Sequence, residues 1–587
     1  MPWRDTECRS RGTWTRREFM YGASVTTLSL IAGGEIAAEE AGREASGTRG
    51  LVASVSEPAT RVGVEILRAG GNAVDAAVAV AFALAVTHPP AGNIAGGGFM
   101  TIFVPPWLHA KFPQAPAGSA NVIDYREMAP LKAHKGMFRK GDSPYQHKAV
   151  GVPGTVAGLA LAHSSYGRLA WRQLVEPAVR LAREGFKVDA ALADSLNRVL
   201  ARSKPFAEFQ RVFAPPDGQS WQAGDRLRQP ELAWSLQEIA TGGADAFYRG
   251  AVAYRLVAEM ERGGGWITRE DLRAYRARWR KPIQFFYAGR EIYSAPPASS
   301  GGICLALILR QMEHFPYRDW GRWDVRTVHV LVEAMRRAYA DRARWLGDPE
   351  FVSIPDELLD RQYAARLAKT ISLDRATPSR EIAPDIPLAP EGNETTHFSV
   401  LDGDGLAVAN TYTLQHSYGS RIVVRGAGFL LNNEMTDFNW FPGITTTAGQ
   451  IGTPPNQIAP GKRILSSMTP TIAVQNDRSV VITGSPGGRT IINTVAQVLL
   501  NRLGFGLSPT ESVALPRLHH QWFPDELRFE PGEAISETLL EALRRRGHRT
   551  VRGPKQGDAH SIFYDASKRV YWAIADTRIW GSALAVS

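Results

Sequence analysis

The sequence predicts an α+β protein that is rich in helices in its first part and rich in strands in its second part. Before residue 377, long segments repeat their apolar residues with the 3.6-residue period of a helix. After residue 394, short apolar segments alternate with tight turns, which is typical of strands. Residues 377–394, which lie between these parts, are rich in proline and predict an extended or mobile linker.

The first part contains a helix that should be buried on all sides, because residues 73–86 are almost entirely apolar. Asp324 is a candidate N-cap for a later helix that runs to residue 346. The other elements predicted here, in chain order, are a helix before Gly70-Gly71-Asn72, paired strands at 99–104 and 122–125 with a surface loop between them, mostly helices over 150–260, including 171–186, and a turn-rich loop at 296–302.

The composition is that of an ordinary globular protein, with 587 residues of which 44% are hydrophobic and 21% charged. No run of like charge concentrates the net charge of +10, so we expect no nucleic-acid partner and a weak attraction for small anionic substrates. The two cysteines, Cys8 and Cys304, provide no disulfide framework, and Cys304 is expected to be a small buried hydrophobe. No metal-ligand spacing or phosphate loop occurs, and adjacent His519 and His520 favour packing, so we expect no metal and no cofactor.

Residues 1–38 resemble an export signal. Arg16-Arg17 lie in a twin-arginine pattern, a weakly apolar stretch follows over 21–34, and Ala37-Ala38 offer small residues for cleavage. The stretch is too short for a stable membrane span. We therefore expect a bacterial periplasmic or secreted protein whose mature chain begins at residue 39; the alternative is a disordered basic N-terminus.

A hairpin begins directly after the linker. Residues 395–402 and 406–414 flank Gly403-Asp404-Gly405, a three-residue turn whose register makes paired residue numbers sum to 808. Thr395 then lies opposite Thr413 and His397 opposite Thr411, which places three threonine hydroxyls on one face. The alternative is that threonine is simply common in strands.

Thr395 is also the first residue after the linker, and this junction predicts a cleavage point. A threonine hydroxyl is a poor nucleophile until a base takes its proton, and a freed α-amine on the same residue is close enough to do so. The unperturbed pKa of such an amine, about 7.7–8.0, suits proton transfer near neutral pH.

Three other segments carry groups that chemistry at Thr395 could use. Gly487-Gly488 follows an apolar strand and could present two backbone N–H groups to an oxyanion. Glu434 and Asp437 could bind an ammonium, and Arg126 could bind a carboxylate through its planar fork. Each alone is more typical of a turn, a helix cap or surface charge.

Taken together and in order, these segments resemble the γ-glutamyltransferase family of N-terminal nucleophile hydrolases over about residues 50–587. The segments that carry the resemblance are 71–77, 96–99, 124–130, 151–154, 296–302, 340–342, 395–400, 432–438, 465–470, 484–488 and 516–527.

The resemblance implies a four-layer αββα sandwich formed jointly by a large and a small subunit after autocleavage between Glu394 and Thr395. Residues 39–394 would be the large subunit and residues 395–587 the small catalytic subunit, the two forming a heterodimer. The implied activity is cleavage of the γ-glutamyl amide of glutathione and related compounds through a Thr-linked intermediate, which passes the γ-glutamyl group to water or to an amino acid or peptide.

The family also implies a role for each matching residue. Thr395 is the nucleophile and base, Thr413 orients its hydroxyl, Thr411 assists processing, and Gly487 and Gly488 hold the oxyanion. Arg126, Ser466 and Ser467 would hold the glutamyl α-carboxylate. Glu434, Asp437 and Gln415 would hold the α-ammonium.

This chain departs from the family pattern at three places. Gln415 stands where asparagine is usual, and Arg489-Thr490 where Ser-Arg is common. Ala448 replaces a tyrosine frequent in lid-bearing members, which leaves open how residues 442–460 close over the pocket.

Two alternative functions remain. A related amidohydrolase could cleave a β-lactam side chain, an oxamate-like amide or a poly-γ-glutamate, and an uncleaved periplasmic protein could simply bind an amino acid. The complete set of Thr395, Thr411 and Thr413 argues against the binding protein, and the pair Glu434 and Asp437 favours an α-amino-acid substrate.

Overall fold

The computed structural model describes residues 42–215, 217–383, 386, 388–390 and 395–587. The predicted signal at 1–38, Cys8 and Glu394 lie outside the described residues. The described helices are Glu57–Arg68, Ala73–Thr87, Thr155–Tyr166, Trp171–Glu184, Ala190–Arg202, Ala207–Val212, Pro230–Tyr248 (broken at Gly243), Ala251–Gly263, Arg269–Ala274, Gly301–Met312, Tyr317–Trp320, Val325–Trp345, Arg361–Lys369, Ser379–Ile382, Thr490–Leu499, Pro509–Ala514 and Glu537–Arg545.

Two seven-stranded sheets organise these helices. In spatial order, one consists of Ser582–Ala585, Gly50–Ser54, Thr396–Asp402, Ala407–Thr413, Gly97–Phe103, Ala120–Asp124 and Arg278–Arg280. The other consists of Glu44–Gly47, Val570–Ile574, Ser561–Asp565, Arg478–Thr483, Thr471–Gln475, Arg290–Ser294 and Ile283–Tyr287. Three small sheets pair Leu388–Pro390 with Gly449–Ile451, Phe186–Lys187 with Arg226–Leu227, and Leu518–His519 with Leu527–Phe529 and Thr550–Arg552.

The alternation of side chains along the strands stacks these elements into four layers. Val52, Val400 and Val408 pack with the helices of the first part, whereas Leu51, Leu401 and Ala407 pack with residues of the second sheet. The opposite face of the second sheet packs against the helices Gly301–Met312, Val325–Trp345 and Thr490–Leu499. The order is therefore helices, sheet, sheet, helices, which confirms the αββα expectation.

The helix Ala73–Thr87 confirms the prediction of an all-round buried helix, since every one of its residues is buried. Its start is fixed by a capping box. The Asn72 side chain accepts from the backbone N–H groups of Val74 and Asp75, and the Asp75 carboxylate accepts from the Asn72 N–H. Asp324 likewise caps the helix Val325–Trp345, as predicted.

The prediction of a linker is wrong for the described residues at its start. Ser379–Ile382 forms a short helix, and Ser379 N donates to Asp525 Oδ2 (2.7 Å) while Trp522 Nε1 donates to Ser379 O (2.8 Å). Proline composition missed this packing because the partners lie more than 140 residues away in the sequence. Among the described residues, no helix has the length and apolar character needed to cross a membrane.

Cys304, His519 and His520 are buried, as predicted. His520 belongs to a group of buried histidines beside the helix Val325–Trp345, where His329 Nδ1 lies 2.7 Å from His548 Nε2. Burial lowers the pKa of His329 to about 4 and that of His520 to about 3, and holds the pKa of His548 well below its usual range.

These buried histidines lead us to expect that acid destabilises the folded protein. The unfolded chain binds protons near pH 6.5, where the folded protein does not, so the free energy of unfolding is expected to fall as pH drops from about 6.5 toward 4. His548→Gln, which leaves His329 a neutral partner, should make this decline shallower. Thermal melts at pH 7.5, 6, 5 and 4.5 measure it; an unchanged slope in the variant would contradict the assignment.

Candidate active site

The hairpin that carries Thr395 has the predicted register. Thr396 pairs with Tyr412, His397 with Thr411 and Leu401 with Ala407, so the residue numbers sum to 808 throughout. The turn also agrees, because Asp402 N donates to Leu406 O across Gly403-Asp404-Gly405, and Gly405 takes the left-handed φ of +95°. Thr395 immediately precedes the strand, at the point where the same register faces Thr413.

Thr395 and Thr413 line one cleft together with most of the other residues predicted for the site. The predicted residues found there are Arg126, Thr395, Thr413, Gln415, Glu434, Asp437, Ser466, Ser467 and Gly488. These residues come from six separate segments of the sequence, so their meeting is a property of the fold. Of the predicted residues that the structure describes, Thr411 and Gly487 do not line the cleft.

Thr411 lies behind the cleft, where its Oγ1 is 2.8 Å from His397 Nδ1. His397 Nε2 in turn lies 3.1 Å from Ser399 Oγ, and burial, with His560 nearby, holds the pKa of His397 well below its usual range. The neutral imidazole of His397 therefore links the hydroxyl groups of Thr411 and Ser399 through hydrogen bonds.

Arg126 is the centre of an acidic cluster. Its guanidinium forms ion pairs with Glu127 (3.2 Å) and Asp437 (2.9 Å), and a third with Glu434. It also donates from Nε to Ile464 O at 3.1 Å, which holds the fork in place. The sequence predicted that Arg126 binds a carboxylate and that the two acids bind an ammonium; the structure brings these three residues into direct contact, as two groups on one substrate carbon would require.

One guanidinium faces three carboxyl groups in this cluster, so an added cation would be stabilised here as it draws these acids into their ionised form. Burial raises the pKa of Glu127 to about 7 and raises the pKa of Glu434 well above its usual range, although Arg126 opposes both shifts. Burial acts against the charge of Arg126, but Glu434, Glu127 and Asp437 together raise its pKa. Glu434 Oε2 is buried without a hydrogen-bond partner among the described residues.

Gln415 joins this cluster directly. Its Nε2 donates to Asp437 Oδ1 at 2.6 Å, and its backbone N donates to Thr413 Oγ1 at 2.8 Å. The residue has a left-handed φ of +79°, which turns the chain away from the strand toward the acids. Gln415 therefore connects the threonine pair to the acidic cluster.

Gly487 and Gly488 form a tight turn before the helix Thr490–Leu499. Both have left-handed φ angles, +121° and +54°, which explains the choice of glycine at each. A Cβ on Gly487 would lie 2.3 Å from Thr490 Oγ1. The turn brings Gly488 to the wall of the cleft that Thr395 also lines.

Five polar residues of the cleft were not predicted as site residues: Arg342, Asn439, Thr453, Asn456 and Arg489. Arg342 donates from Nη2 to Ser467 Oγ at 3.1 Å and from Nε to Ser300 Oγ at 2.9 Å. The sequence signal that could have identified Arg342 is a charged residue in a stretch of this helix whose residues are buried. Thr453 and Asn456, from the segment 442–460, also line the cleft, whereas Ala448 does not.

Gly96 fixes the position of Thr413. A Cβ at Gly96 would lie 1.9 Å from Thr413 O, the same oxygen that accepts from Asn93 Nδ2 at 2.9 Å. We expect Gly96→Ala to displace Thr413 and to slow the predicted cleavage before Thr395 by about 100-fold, the usual effect of a 1 Å misplacement in a site. Gel analysis of cleavage with time measures this; the exposed Gly242→Ala is the control, and normal processing in Gly96→Ala would refute the coupling.

The αββα sandwich, with a threonine beside an enclosed polar cleft, defines the class of N-terminal nucleophile hydrolases. A cephalosporin acylase from Bacillus halodurans superposes with a TM-score of 0.81 at 26% identity, covering 95% of this chain and 99% of that chain. Within this class, the chain belongs to the gamma-glutamyltranspeptidase family, whose model matches residues 59–586. It is an enzyme of that family.

The relatives of this chain agree with the family assignment. The glutathione hydrolase proenzyme of Escherichia coli K12 is 45% identical over 534 residues, which cover 89% of this chain and 90% of that protein. The proenzyme of Pseudomonas aeruginosa is 40% identical over 88% of this chain and 91% of its own length. The solved gamma-glutamyltranspeptidase of Helicobacter pylori is 40% identical with a TM-score of 0.52, covering 56% of this chain and 93% of that chain.

Proposed function

We propose that this chain is an autoprocessed γ-glutamyltransferase and glutathione hydrolase. The observation that carries the proposal is the single cleft in which Thr395 lies beside Thr413, Gly488, the acidic cluster of Arg126 and the serines Ser466 and Ser467. This combination provides a nucleophile and charged groups of both signs, which an α-amino acid requires.

Processing begins when the Thr395 hydroxyl attacks the carbonyl carbon of Glu394. The peptide C–N bond breaks, an ester to Thr395 Oγ forms, and the α-amino group of Thr395 takes up a proton. Water then hydrolyses the ester. The products are a large subunit that ends at Glu394 and a small subunit of 193 residues, 395–587.

Catalysis uses the freed terminus. The Thr395 amine accepts the hydroxyl proton as Oγ attacks the γ-carbonyl of the substrate, and Thr413 orients that hydroxyl. The N–H groups of Gly487 and Gly488 stabilise the oxyanion, and Thr411 assists the earlier processing step. The amine product leaves with a proton, and water or an acceptor amine then takes the γ-glutamyl group from Thr395.

Positioning of the donor depends on the two charged groups that its α-carbon carries. Glu434, Asp437 and Gln415 hold the α-ammonium, which the excess of carboxylates around Arg126 favours. Arg126, Ser466 and Ser467 hold the α-carboxylate. Binding both groups places the γ-carbonyl at Thr395, and such positioning contributes much of the rate enhancement in reactions of this type.

The relatives support both the substrate and the split into subunits. Three relatives that cover 82–89% of this chain are named glutathione hydrolase proenzymes. The H. pylori chain is matched over 93% of its own length but over only 56% of this one, which is the proportion expected of a separate large subunit.

We also propose export through the twin-arginine signal at 1–38 and a periplasmic or secreted location.

The similarity to a cephalosporin acylase favours one alternative, an amidohydrolase that accepts an acyl group without an α-amine. Release of aniline from a γ-glutamyl anilide, compared with release from a glutaryl anilide, separates the two functions. Equal rates would favour the acylase. Strong preference for the γ-glutamyl compound would support the proposal.

The proposal itself is tested on the purified protein under denaturing conditions. Two bands are expected, of 356 residues (394 − 38) and 193 residues (587 − 394), with the smaller one beginning Thr-Thr-His-Phe-Ser on Edman degradation. A single full-length band with no γ-glutamyl anilide hydrolysis would refute the proposal and favour an uncleaved amino-acid-binding protein.

A further inference from the structure

Thr395 also lines a second cavity, of about 660 Å³, which the mechanism above does not use. Its other walls include the helix Ala190–Arg202, the segment 416–421 and the pair Ile579 and Trp580. Among the described residues, Thr395 is the one that lines both this cavity and the cleft described above. The volume is within the range of small-molecule sites.

The two spaces are built from the same segments of the chain. Gln415 lines the cleft, where it joins the acidic cluster, whereas the next residue, His416, lines the second cavity. His416 N donates to Asn433 Oδ1 at 3.1 Å, and Asn433 Nδ2 lies 2.9 Å from His416 Nδ1. Since Asn433 directly precedes Glu434, the binding of the donor and the shape of the second cavity are structurally connected.

The segment that supplies this wall has an unusual backbone. Gln415, Tyr418 and Arg421 have left-handed φ angles of +79°, +62° and +62°, although none of them is glycine. Such conformations are costly for residues with a Cβ, and they occur preferentially at functional sites. The chain therefore accepts backbone strain where it supplies side chains to both spaces.

Arg421 provides this cavity with an oriented cation. Its guanidinium carbon lies 4.0 Å from the centre of the Tyr145 ring, and its Nη1 donates to Arg202 O at 3.0 Å. No carboxylate of a described residue forms an ion pair with Arg421, and its Nε is buried without a hydrogen-bond partner in the part of the chain that the structure describes. The aromatic face and the carbonyl thus fix the guanidinium without neutralising it.

The acids that line the cavity do not balance its cations. Asp189 and Asp194 form no ion pair with any described arginine; Asp189 instead caps the helix Ala190–Arg202, and Asp194 is exposed to solvent. The same helix adds two further arginines to the lining, Arg198 and Arg202. An anionic group of a ligand would therefore be favoured here.

The proposed reaction needs a place for the amine side of the scissile amide. The γ-glutamyl part of the donor fills the cleft, and the nitrogen of the leaving amine takes its proton from the α-ammonium of Thr395. An accepting amine approaches by the same path, because its attack on the ester of Thr395 is the reverse of the step that releases an amine. The second cavity also begins at Thr395 and is free of the donor's γ-glutamyl part.

We propose that the second cavity binds the amine that leaves or accepts, and that Arg421, held against Tyr145, binds a carboxylate which this amine carries. The inference rests on the proposed function. The ligand class is an amino acid or short peptide with a free carboxylate, because a planar guanidinium fork suits that group. Ile579 and Trp580, which are 44% and 41% exposed, offer an apolar wall for its side chain.

The test compares Arg421→Gln with the wild-type enzyme on two matched pairs of compounds. The leaving-group pair is γ-glutamyl-3-carboxy-4-nitroanilide and γ-glutamyl-p-nitroanilide, which lacks the carboxylate on the ring. The acceptor pair is glycylglycine and glycylglycinamide, which lacks the terminal carboxylate, each with γ-glutamyl-p-nitroanilide as donor. The readout is kcat/KM for each anilide and for each acceptor.

We expect the variant to lose about 10- to 100-fold on the carboxylate-bearing member of a pair and much less on its partner, as removal of a charged hydrogen bond would cause. Loss within the acceptor pair assigns Arg421 to the acceptor, loss within the leaving-group pair assigns it to the leaving amine, and loss within both shows one shared site. Arg421→Lys, which keeps the charge without the planar fork, should recover part of the loss. Arg425→Gln, an exposed arginine of the same segment that does not line the cavity, is the matched control.

Equal losses within each pair, no loss on any compound, or a wild-type enzyme that distinguishes the members of neither pair would overturn the assignment. Normal processing of Arg421→Gln on a gel shows that the variant folds, and Tyr145→Leu, which removes the ring beneath the guanidinium, provides a second variant if it does not. Failure of the wild-type enzyme to hydrolyse γ-glutamyl-p-nitroanilide would instead refute the proposed function, so the two results are distinguishable.

Discussion

Thr395→Ala is expected to remain a single chain and to lose hydrolysis of γ-glutamyl anilide by at least about 1,000-fold, because it removes the group that performs both cleavage and catalysis. The cleft and hairpin should persist, since the residue lies just outside the paired strand Thr396–Asp402. A denaturing gel and an anilide assay measure the two effects.

Two variants serve as controls for this prediction. Thr395→Ser keeps a hydroxyl and should still be cleaved, and Thr396→Val alters the buried neighbour within the strand and should be cleaved as well. Cleavage of Thr395→Ala at the same position would show that another group cuts the chain.

Asp437→Asn is expected to reduce kcat/KM for γ-glutamyl anilide by about 100-fold, because loss of one partner from a buried charge pair costs about 2–5 kcal/mol and the lower end of that range applies to the partly exposed Asp437. Asp437 accepts from both Arg126 and Gln415, so the substitution also loosens the connection to Thr413. The activity should fall mainly through KM if Asp437 binds the ground-state ammonium.

The decisive comparison is with glutaryl anilide, which has no α-amine. Its low rate should change little in Asp437→Asn, so the preference for the amine-bearing substrate should shrink. Asp404→Asn, which removes an exposed charge in the hairpin turn, is the matched control. An unchanged preference would mean that Asp437 does not select the α-amine.

The hairpin register and the helix capped by Asp324 could be predicted from sequence because both depend on neighbours within about twenty residues. Turn length and strand alternation determine which residues of the hairpin face each other. The buried helix at 73–87 followed from composition alone. The four-layer order instead came from the family resemblance, and the two faces of the strands confirm it.

Contacts between distant segments could not be predicted in this way. The site residues were identified as separate motifs, but the bonds from Arg126 to Glu434 and Asp437 join residues more than 300 positions apart. Arg342 was overlooked as a site residue because a charged side chain within a long helix normally indicates solvent exposure. The packing of Ser379 against Trp522 could not be predicted either, because composition says nothing about partners that are distant in the sequence.

The order of strands in the middle of the first sheet determines how the two polypeptides could separate. Thr396–Asp402 and Ala407–Thr413 are held on both sides by strands that precede residue 395, Gly50–Ser54 and Gly97–Phe103. Cleavage before Thr395 would thus leave two polypeptides whose strands alternate within one sheet. The two chains could separate only if the sheet unfolds, so we expect the nicked protein to melt in one cooperative step, with a midpoint that falls on dilution because unfolding releases two chains.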